Sequence, residues 1–497
     1  MRLLFTVLAC LFSVSVFGQG WEQTYGYSVT GQNASAGSMV VETSDGGFVI
    51  VMDGFDYNSL IKTNNIGIAQ WIVSIPEPDG LIQTNDNGVI IASGGEAWDS
   101  ELTLLKFDEN GVNQWSQSYS IEGGAPCVSK TSDGGYILAC RATDCIGEPI
   151  GCVGLVKVSS DGIEQWSNIF YVDNFAATPV SIQQTADGGY IIGGTHEGAG
   201  ISDSGIFDVL FREPVLIKTD INGNFQWQHN YGFLHTDQNN LNIDEDFFTR
   251  MSSVRQTNDG GFIFQVIVDE GAVVTPNGVI PWDDAVVLVK TNFLGIEEWS
   301  KTFTPETLLP NTVVDLAYEM SDGYDFCYLG IPPSKNNNLI SNAGDNYFFT
   351  VNSSVGIGES PNSGMVQYTV LVIVDNNGDI IEIVEFSNIT EIFESYLLNE
   401  GLIDWSGKDL ISVDYTSDGG YILTGGYNAS VGANPNLLLI KTDSEGTLSS
   451  EFTIPTPSPK KLDKVVDALG REVNNTTNQI LFHIYDDGTV EKKFIVE

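Results

Sequence analysis

The sequence is short of positive charge, of cysteine and of long apolar runs. Against 65 Asp and Glu stand only 21 Lys and Arg, a net charge of −44 over 497 residues. So acidic a surface argues against nucleic acid or an anionic membrane as partner, and suits solubility or cationic partners such as calcium. Charged residues make up only 17% and Gly numbers 53, which excludes a coiled coil, rich in Lys, Glu and Leu. The one long apolar run, Leu3 to Phe17, is too short to span a bilayer, so no transmembrane segment is expected. Four His form no metal-spaced pair, and neither a GxSxG nucleophile elbow nor a phosphate loop is present. No catalytic residue is therefore assigned. A paired-carboxylate glycosidase stays open with 65 acids available, although nothing selects a pair. Aromatics at 11% supply ample core material, which excludes disorder.

What is there is a repeat. Asp-Gly-Gly recurs at Asp45, Asp133, Asp187, Asp259 and Asp418, with degenerate copies at Asp86-Asn87-Gly88 and Asp322-Gly323-Tyr324. Asp-Gly between alternating apolar runs predicts a two-residue hairpin turn of the primed type, with positive φ at both residues. After each copy comes an apolar strand usually ending in Lys (Lys62, Lys106, Lys157, Lys218, Lys290, Lys441; Ile373 in the sixth copy). An Asx/Ser-x-x-Gly turn follows, closing at Gly67, Gly111, Gly162, Gly223, Gly295, Gly378 and Gly446. That spacing fits a type I turn closed by a left-handed Gly. Four residues further on stands Trp71, Trp115, Trp166, Trp227 or Trp299, replaced by Glu382 in copy six and Ser450 in copy seven.

Each copy thus encodes four short strands, a to d, and copy seven lacks its d strand. One unpaired d-like strand, Trp21 to Tyr25, opens the mature chain. These observations predict an all-β fold: a seven-bladed β-propeller over 19–452, closed by the N-terminal strand. The pattern resembles kelch and WD-type propellers loosely, and more specifically the Asp-Gly-Gly repeat proteins found among the cargo of type IX secretion. Asp-x-x-Gly-x-x-x-Trp also resembles the Asp boxes of sialidases and the Trp-docking repeat of quinone-dependent dehydrogenases. The arginine cluster of a sialidase is missing, and Trp is expected to pack between blades. Asp375 to Asp379 could pass for a calcium loop, but its Gly is misplaced for an EF-hand and a structural turn is expected there.

Both ends look like addresses. Residues 1–18 have the form of a signal peptide with cleavage after Gly18, a lipoprotein cut before Cys10 being the alternative. A Pro-rich linker at 453–461 leads to three short strands in 462–497. Leu469-Gly470-Arg471-Glu472-Val473 and Tyr485-Asp486-Asp487-Gly488 closely resemble the C-terminal sorting domain of type IX secretion in Bacteroidota, in a shortened form. The resemblance implies Sec export, engagement of the type IX machinery, and release or attachment at the outer surface.

In such a ring the a–b and c–d turns share one rim, and the b–c and d–a connections share the other. All the long connections are of the second kind: b–c at 141–152, 194–214, 268–284 and 330–367, and d–a at 232–250 and 387–409. Function tends to live on such loops. Candidate ligand-binding residues there are Trp98, Asp99, Asp203, Asp208, Arg212, Asp237, Asp244, Asp246, Trp282, Asp283 and Asp284. Aromatics beside carboxylates suit sugar stacking or calcium-bridged binding. A monomer that binds an extracellular glycan or protein is the leading expectation. A carbohydrate-active enzyme and a structural surface-layer protein are the alternatives. Finally, a two-residue turn at Asp133-Gly134 would place Cys127 opposite Cys140, predicting a disulfide. Cys145 and Cys152 bracket one b–c loop and could form a second, leaving Cys327 over.

Overall fold

The computed structural model describes residues 20–25, 35–54, 58–94, 101–142, 152–171, 176–201, 207–232, 248–269, 273–275, 278–280, 285–308, 327–328, 340–341, 346–356, 365–386, 407–428, 436–444, 446, 462–467, 471, 480–485 and 490–494. The chain divides into two compact units, Met1–Ser449 and Ser450–Glu497. The first is nearly all strand, with one turn of helix at Pro305–Leu308. The second is an antiparallel sheet of three strands, Leu462–Asp467, Ile480–Tyr485 and Val490–Phe494, in sequence order. Among the described residues no helix is long and apolar enough to cross a membrane.

The first unit is a seven-bladed β-propeller. Blade 1 shows the plan: antiparallel strands a (Ser35–Glu42), b (Phe48–Gly54), c (Asn58–Thr63) and d (Ala69–Ile75). Strands b and c are apolar on both faces because a blade packs on each side. Strand d alternates half-buried with exposed residues because it forms the outer edge. Blades 2 and 3 share one unbroken strand, Asn113–Lys130, serving as d of one and a of the next. Blades 4 and 5 are linked by a parallel bridge from Arg212 to Phe248.

Closure follows the sequence. Strand Trp21–Tyr25 pairs antiparallel with strand c of blade 7, placing Trp21 opposite Lys441. The same cross-strand pair recurs as Lys62–Trp71, Lys106–Trp115, Lys157–Trp166, Lys218–Trp227 and Lys290–Trp299. In blade 6 it becomes Ile373–Glu382.

The hairpin chemistry differs from the expectation at the a–b turns. Gly134 N–H donates to Thr131 O and Thr131 N–H to Gly135 O, and positive φ falls on Gly134 alone of the Asp-Gly pair. The turn is therefore a type I turn closed by a left-handed Gly, three residues long rather than two. One extra residue shifts the register by one, so Cys127 faces Ala139. A one-residue shift sends a side chain to the opposite sheet face. Cys127 accordingly packs in the core between blades 3 and 4, Cys140 in the core between blades 2 and 3, and both are free thiols. The expected Cys127–Cys140 disulfide is not formed. Cys145 lies outside the described residues, so its pairing with Cys152 remains an expectation.

Blade 6 is also placed differently. Its strand b is Tyr347–Gly356, paired with strand c at Met365–Val374. Ile340 and Ser341 pair with Phe348 and Tyr347, the spacing that Glu42 has to Phe48 in blade 1. Strand a is thus split, since Cys327–Tyr328 pairs with the far end of the same strand b. The sixth copy does not begin at Asp322, and the connection from b to c runs over 357–364 instead of 330–367. In blade 4 the expected 194–214 loop is an extension of strands b and c into a hairpin, Tyr190–Ile201 with Phe207–Thr219.

Candidate functional site: one locked rim, one open rim and an axis

The rim of short turns is locked by a clamp present in six blades. Thr43 Oγ1 donates to Asp45 Oδ1 at 2.6 Å, and Gly47 N–H donates to the same oxygen at 3.0 Å. Lys62 Nζ donates to both Asp45 oxygens at 3.0 Å and to Thr63 O at 2.7 Å. The equivalent pairs are Lys106–Asp86, Lys157–Asp133, Lys218–Asp187, Lys290–Asp259 and Lys441–Asp418, with buried lysines and more exposed carboxylates. Burial alone would raise the Asp133 and Asp259 carboxyls. The Thr and Lys hydrogen bonds prevail and hold both at about 2.

The clamp explains the double glycine. The first Gly takes positive φ, and only Asn87, which tolerates that region, replaces it in blade 2. A Cβ on the second, such as Gly135, would lie 2.2 Å from Val158 O and 2.7 Å from the Lys157 ammonium. The c–d turns lock blade to blade. A Cβ on Gly67 would sit 2.6 Å from the Trp21 ring, and Gly111, Gly162, Gly223, Gly295 and Gly378 meet Trp71, Trp115, Trp166, Trp227 and Trp299 in the same way. Each Trp therefore covers the turn of the following blade, and Trp21 closes the circle from blade 7 onto blade 1. The Tyr25 hydroxyl adds a hydrogen bond to Gly67 O, and Tyr231 one to Gly295 O at 2.6 Å. The Asp375 turn is of this structural kind, its carboxylate accepting from Asn377 and Asp379 N–H at 2.8 and 2.9 Å.

The opposite rim carries the longer connections. Of the candidate residues there, Trp98, Asp99, Asp203, Asp237, Asp244, Asp246, Trp282, Asp283 and Asp284 lie outside the described residues. Asp208 and Arg212 fall within strand c of the blade 4 hairpin. Asp208 is at a bulge opposite Gly200 and Ile201, and Arg212 is paired with Glu197. Among the described residues no group of three or more His, Cys, Asp or Glu could hold a metal ion.

The axis holds a cluster the sequence reading missed. Strand a is innermost, and its last residue in blades 1, 4 and 5 bridges to the turn of the preceding blade. Gln184 accepts from Ser132 N–H at 2.7 Å, Gln256 from Ala186 N–H at 2.8 Å, and Glu42 from Ser417 N–H and Oγ at 2.7 and 2.9 Å. In blade 3 that position is Lys130, which cannot accept. The residue before it is apolar in Val41 and Ile82, yet it is Arg255 in blade 5 and Asp414 in blade 7. These three line a cavity of about 210 Å³ together with Met39, Leu81 and Val413. Burial pushes the Asp414 carboxyl up to about 6, against the pull of hydrogen bonds from Tyr415 N–H (2.9 Å) and Glu42 N–H (3.4 Å). Burial likewise lowers Arg255 to about 10 and Lys130 below its ordinary value, with the Asp414 carboxylate opposing both shifts. Lys130 breaks the Glu/Gln series at a strand-a terminus, a signal the sequence did contain.

Strand pairing and ring closure define this unit as a seven-bladed β-propeller. No protein-family model matches the chain, and no curated protein does. Similar solved structures include a protein of unknown function from Bacteroides caccae, 12% identical over 58% of this chain and 96% of that one, with a TM-score of 0.32. A protein of unknown function from Dyadobacter fermentans is 11% identical over 72% and 98%, TM-score 0.39. The α-L-arabinofuranosidase of Fusarium graminearum, solved with arabinobiose, is 9% identical over 86% and 98%, TM-score 0.37. With each of these scores below 0.5, the fold assignment stands on the strand pairing itself.

Proposed function

We propose that the chain is a secreted or cell-surface binding module, taking an extracellular glycan or protein on the rim of long connections. The observation that carries this is the inequality of the two rims. One is occupied by short turns that hydrogen-bond from blade to blade (Gln184 to Ser132, Gln256 to Ala186, Glu42 to Ser417), leaving little backbone free to recognise a partner. Long connections such as 233–247, 270–284 and 387–406 start and end at the other, and variable connections on a rigid scaffold are where recognition is built. Export through a signal peptide and type IX secretion is part of the same reading. It is supported by the Leu469–Val473 and Tyr485–Gly488 motifs and by the small three-stranded unit that contains Tyr485.

A carbohydrate-active enzyme would need a pair of carboxylates at a working separation. Among the described residues the axis offers one raised carboxyl, Asp414, while the Glu42 carboxylate is held by Ser417. Binding is therefore the reading preferred. The test is a glycan array with the mature chain, followed by calorimetry on variants in which residues 233–247 or 270–284 are replaced by a short Gly-Ser linker. The expected result is saturable binding that a loop replacement abolishes while the melting temperature holds. Binding that survives both replacements would move the site elsewhere. For export, deletion of 462–497 should leave the protein in the periplasm, read by cell fractionation.

A further inference from the structure

We propose that the axial cavity is a binding site for a small organic monocarboxylate, held by Lys130 and Arg255, with the Asp414 and Glu42 carboxylates beside them and an apolar wall of Met39, Leu81 and Val413. The site is separate from the long-connection rim, because its polar residues are the last two of strand a, next to the short turns.

A cation serving only the scaffold should have its charge met by a partner in the scaffold. The six strand-c lysines meet that standard, each bound to its own turn carboxylate. Lys130 does not. It stands where Glu42, Gln184 and Gln256 accept hydrogen bonds, and among the described residues its ammonium has neither a hydrogen bond nor an ion pair. Arg255 is similar: its counterparts Val41, Ile82, Ser129 and Gln183 are uncharged, and it uses one N–H on Val254 O at 2.9 Å, leaving the rest of its donor fork. Two cations with unused donors thus meet in one cavity of a chain that carries −44.

The ligand class follows from the lining. The Glu42 carboxylate in the same lining is already held by Ser417 N–H and Oγ, so the two cationic donors still call for an anion, and charge-assisted hydrogen bonds to them are the strong kind. The Asp414 carboxyl disfavours a dianion such as phosphate by like-charge repulsion. The apolar wall favours a short hydrocarbon tail over a bare inorganic ion. The volume, about 210 Å³, is below that of pockets for drug-sized molecules and limits the ligand to a few heavy atoms.

The test uses the full mature chain, butyrate as probe, and butyramide as neutral isostere, by calorimetry or ligand-observed NMR at neutral pH. Butyrate should bind saturably, and butyramide about tenfold more weakly or worse, the loss of about one charge-assisted bond. Lys130→Met should weaken butyrate by about tenfold. Because the Lys130 ammonium is exposed and makes no hydrogen bond or ion pair among the described residues, that variant should melt close to the wild type. Arg255→Met should weaken butyrate at least as much, and Asp414→Asn should not weaken it. Absence of saturable butyrate binding would overturn the proposal. So would equal affinity for butyramide, tighter binding of inorganic phosphate than of butyrate, or full affinity in the Lys130→Met protein.

Discussion

The outer and inner strands of the blades obey different rules. In strands c and d and the turns that meet them the same residues return: Lys opposite Trp, Gly beneath the preceding blade's Trp, and an a–b turn Asp clamped by Thr and the strand-c Lys. At the end of strand a the seven residues are Glu42, Gln83, Lys130, Gln184, Gln256, Ser341 and Tyr415, five chemistries in seven copies. Outer side chains meet another copy of their own surroundings in the neighbouring blade, so repetition is enforced. Inner side chains converge on a single axis where each has a different neighbour, and nothing enforces likeness there. Outer substitutions should therefore cost stability, and inner ones should alter titration and binding at small cost in stability.

The hardest blow to the outer set is removal of its closing strand. Deleting the chain through Tyr25 removes buried Trp21 and Tyr25 together with five residues of ladder on strand c of blade 7. Two aromatic side chains alone account for about 5 kcal/mol, and the melting temperature should fall by about 10 °C. A synthetic peptide of residues 19–26 added in trans should restore part of it.

Next comes a paired comparison of glycines. Gly162 and Gly134 both have positive φ, at 77° and 83°. A Cβ on Gly162 would lie 2.7 Å from Trp115, while one on Gly134 meets nothing within 4 Å. Gly134→Ala should cost about 1 kcal/mol for backbone strain alone. Gly162→Ala should cost about 2–4 kcal/mol, the excess measuring displacement of the ring. Equal costs by urea titration would show that the Trp does not lock the blades.

The clamp should give a smaller effect with a pH signature. Lys157→Met removes the ammonium that helps hold Asp133 at about 2, at a cost of about 1–2 kcal/mol at neutral pH. Because the folded pKa is depressed, the stabilisation is complete above the unfolded value near ~4 and is lost as pH falls through about 2. The difference between wild type and variant should therefore shrink as the buffer is acidified across that window. Asp414 has the opposite sign, since burial raises it to about 6. The folded state takes up its proton more readily, so wild-type stability relative to Asp414→Asn should increase as pH falls from about 7 to ~4. Paired thermal melts from pH about 7 down to about 2 check both signs.

These two sets also differ in how far the sequence exposed them. The Lys and Trp spacings, and the resemblance of Trp21–Tyr25 to the other d strands, were enough to place the ring closure, because they recur. Blade 6 was misplaced because Asp322-Gly323-Tyr324 imitates the turn motif, whereas the true start, before Tyr347, has lost it. The hairpin length was misjudged because Asp-Gly is compatible with both two- and three-residue turns. The Thr at the turn's start, Thr131 in blade 3, carried the missing information, because its backbone and hydroxyl close the longer loop. The axial trio was hidden for a different reason. Lys130, Arg255 and Asp414 are far apart in the chain and come together only when seven strands share one axis. The long-rim candidates were inferred from connection length alone, and the described residues bring only the backbones of Asp208 and Arg212 into view.

The smallest expected effect is a null one, and it tests the hairpin register directly. A register in which Cys127 faces Ala139 puts the two thiols in separate cores, each fully enclosed. Burial pushes both thiols up to about 12, so at neutral pH neither is nucleophilic. Thiol titration of the native protein should leave Cys127 and Cys140 unreacted, and denaturation should expose both. Reductant should shift the melting temperatures of Cys127→Ala and wild type equally, with the variant slightly below wild type throughout for the lost side-chain volume. A two-residue turn would instead have set the cysteines face to face, and then reductant would lower the wild-type melting temperature more than the variant's. That one contrast distinguishes a three-residue a–b turn from a two-residue one. Through the shared Asp-Gly-Gly motif, it does so for the other blades that carry it.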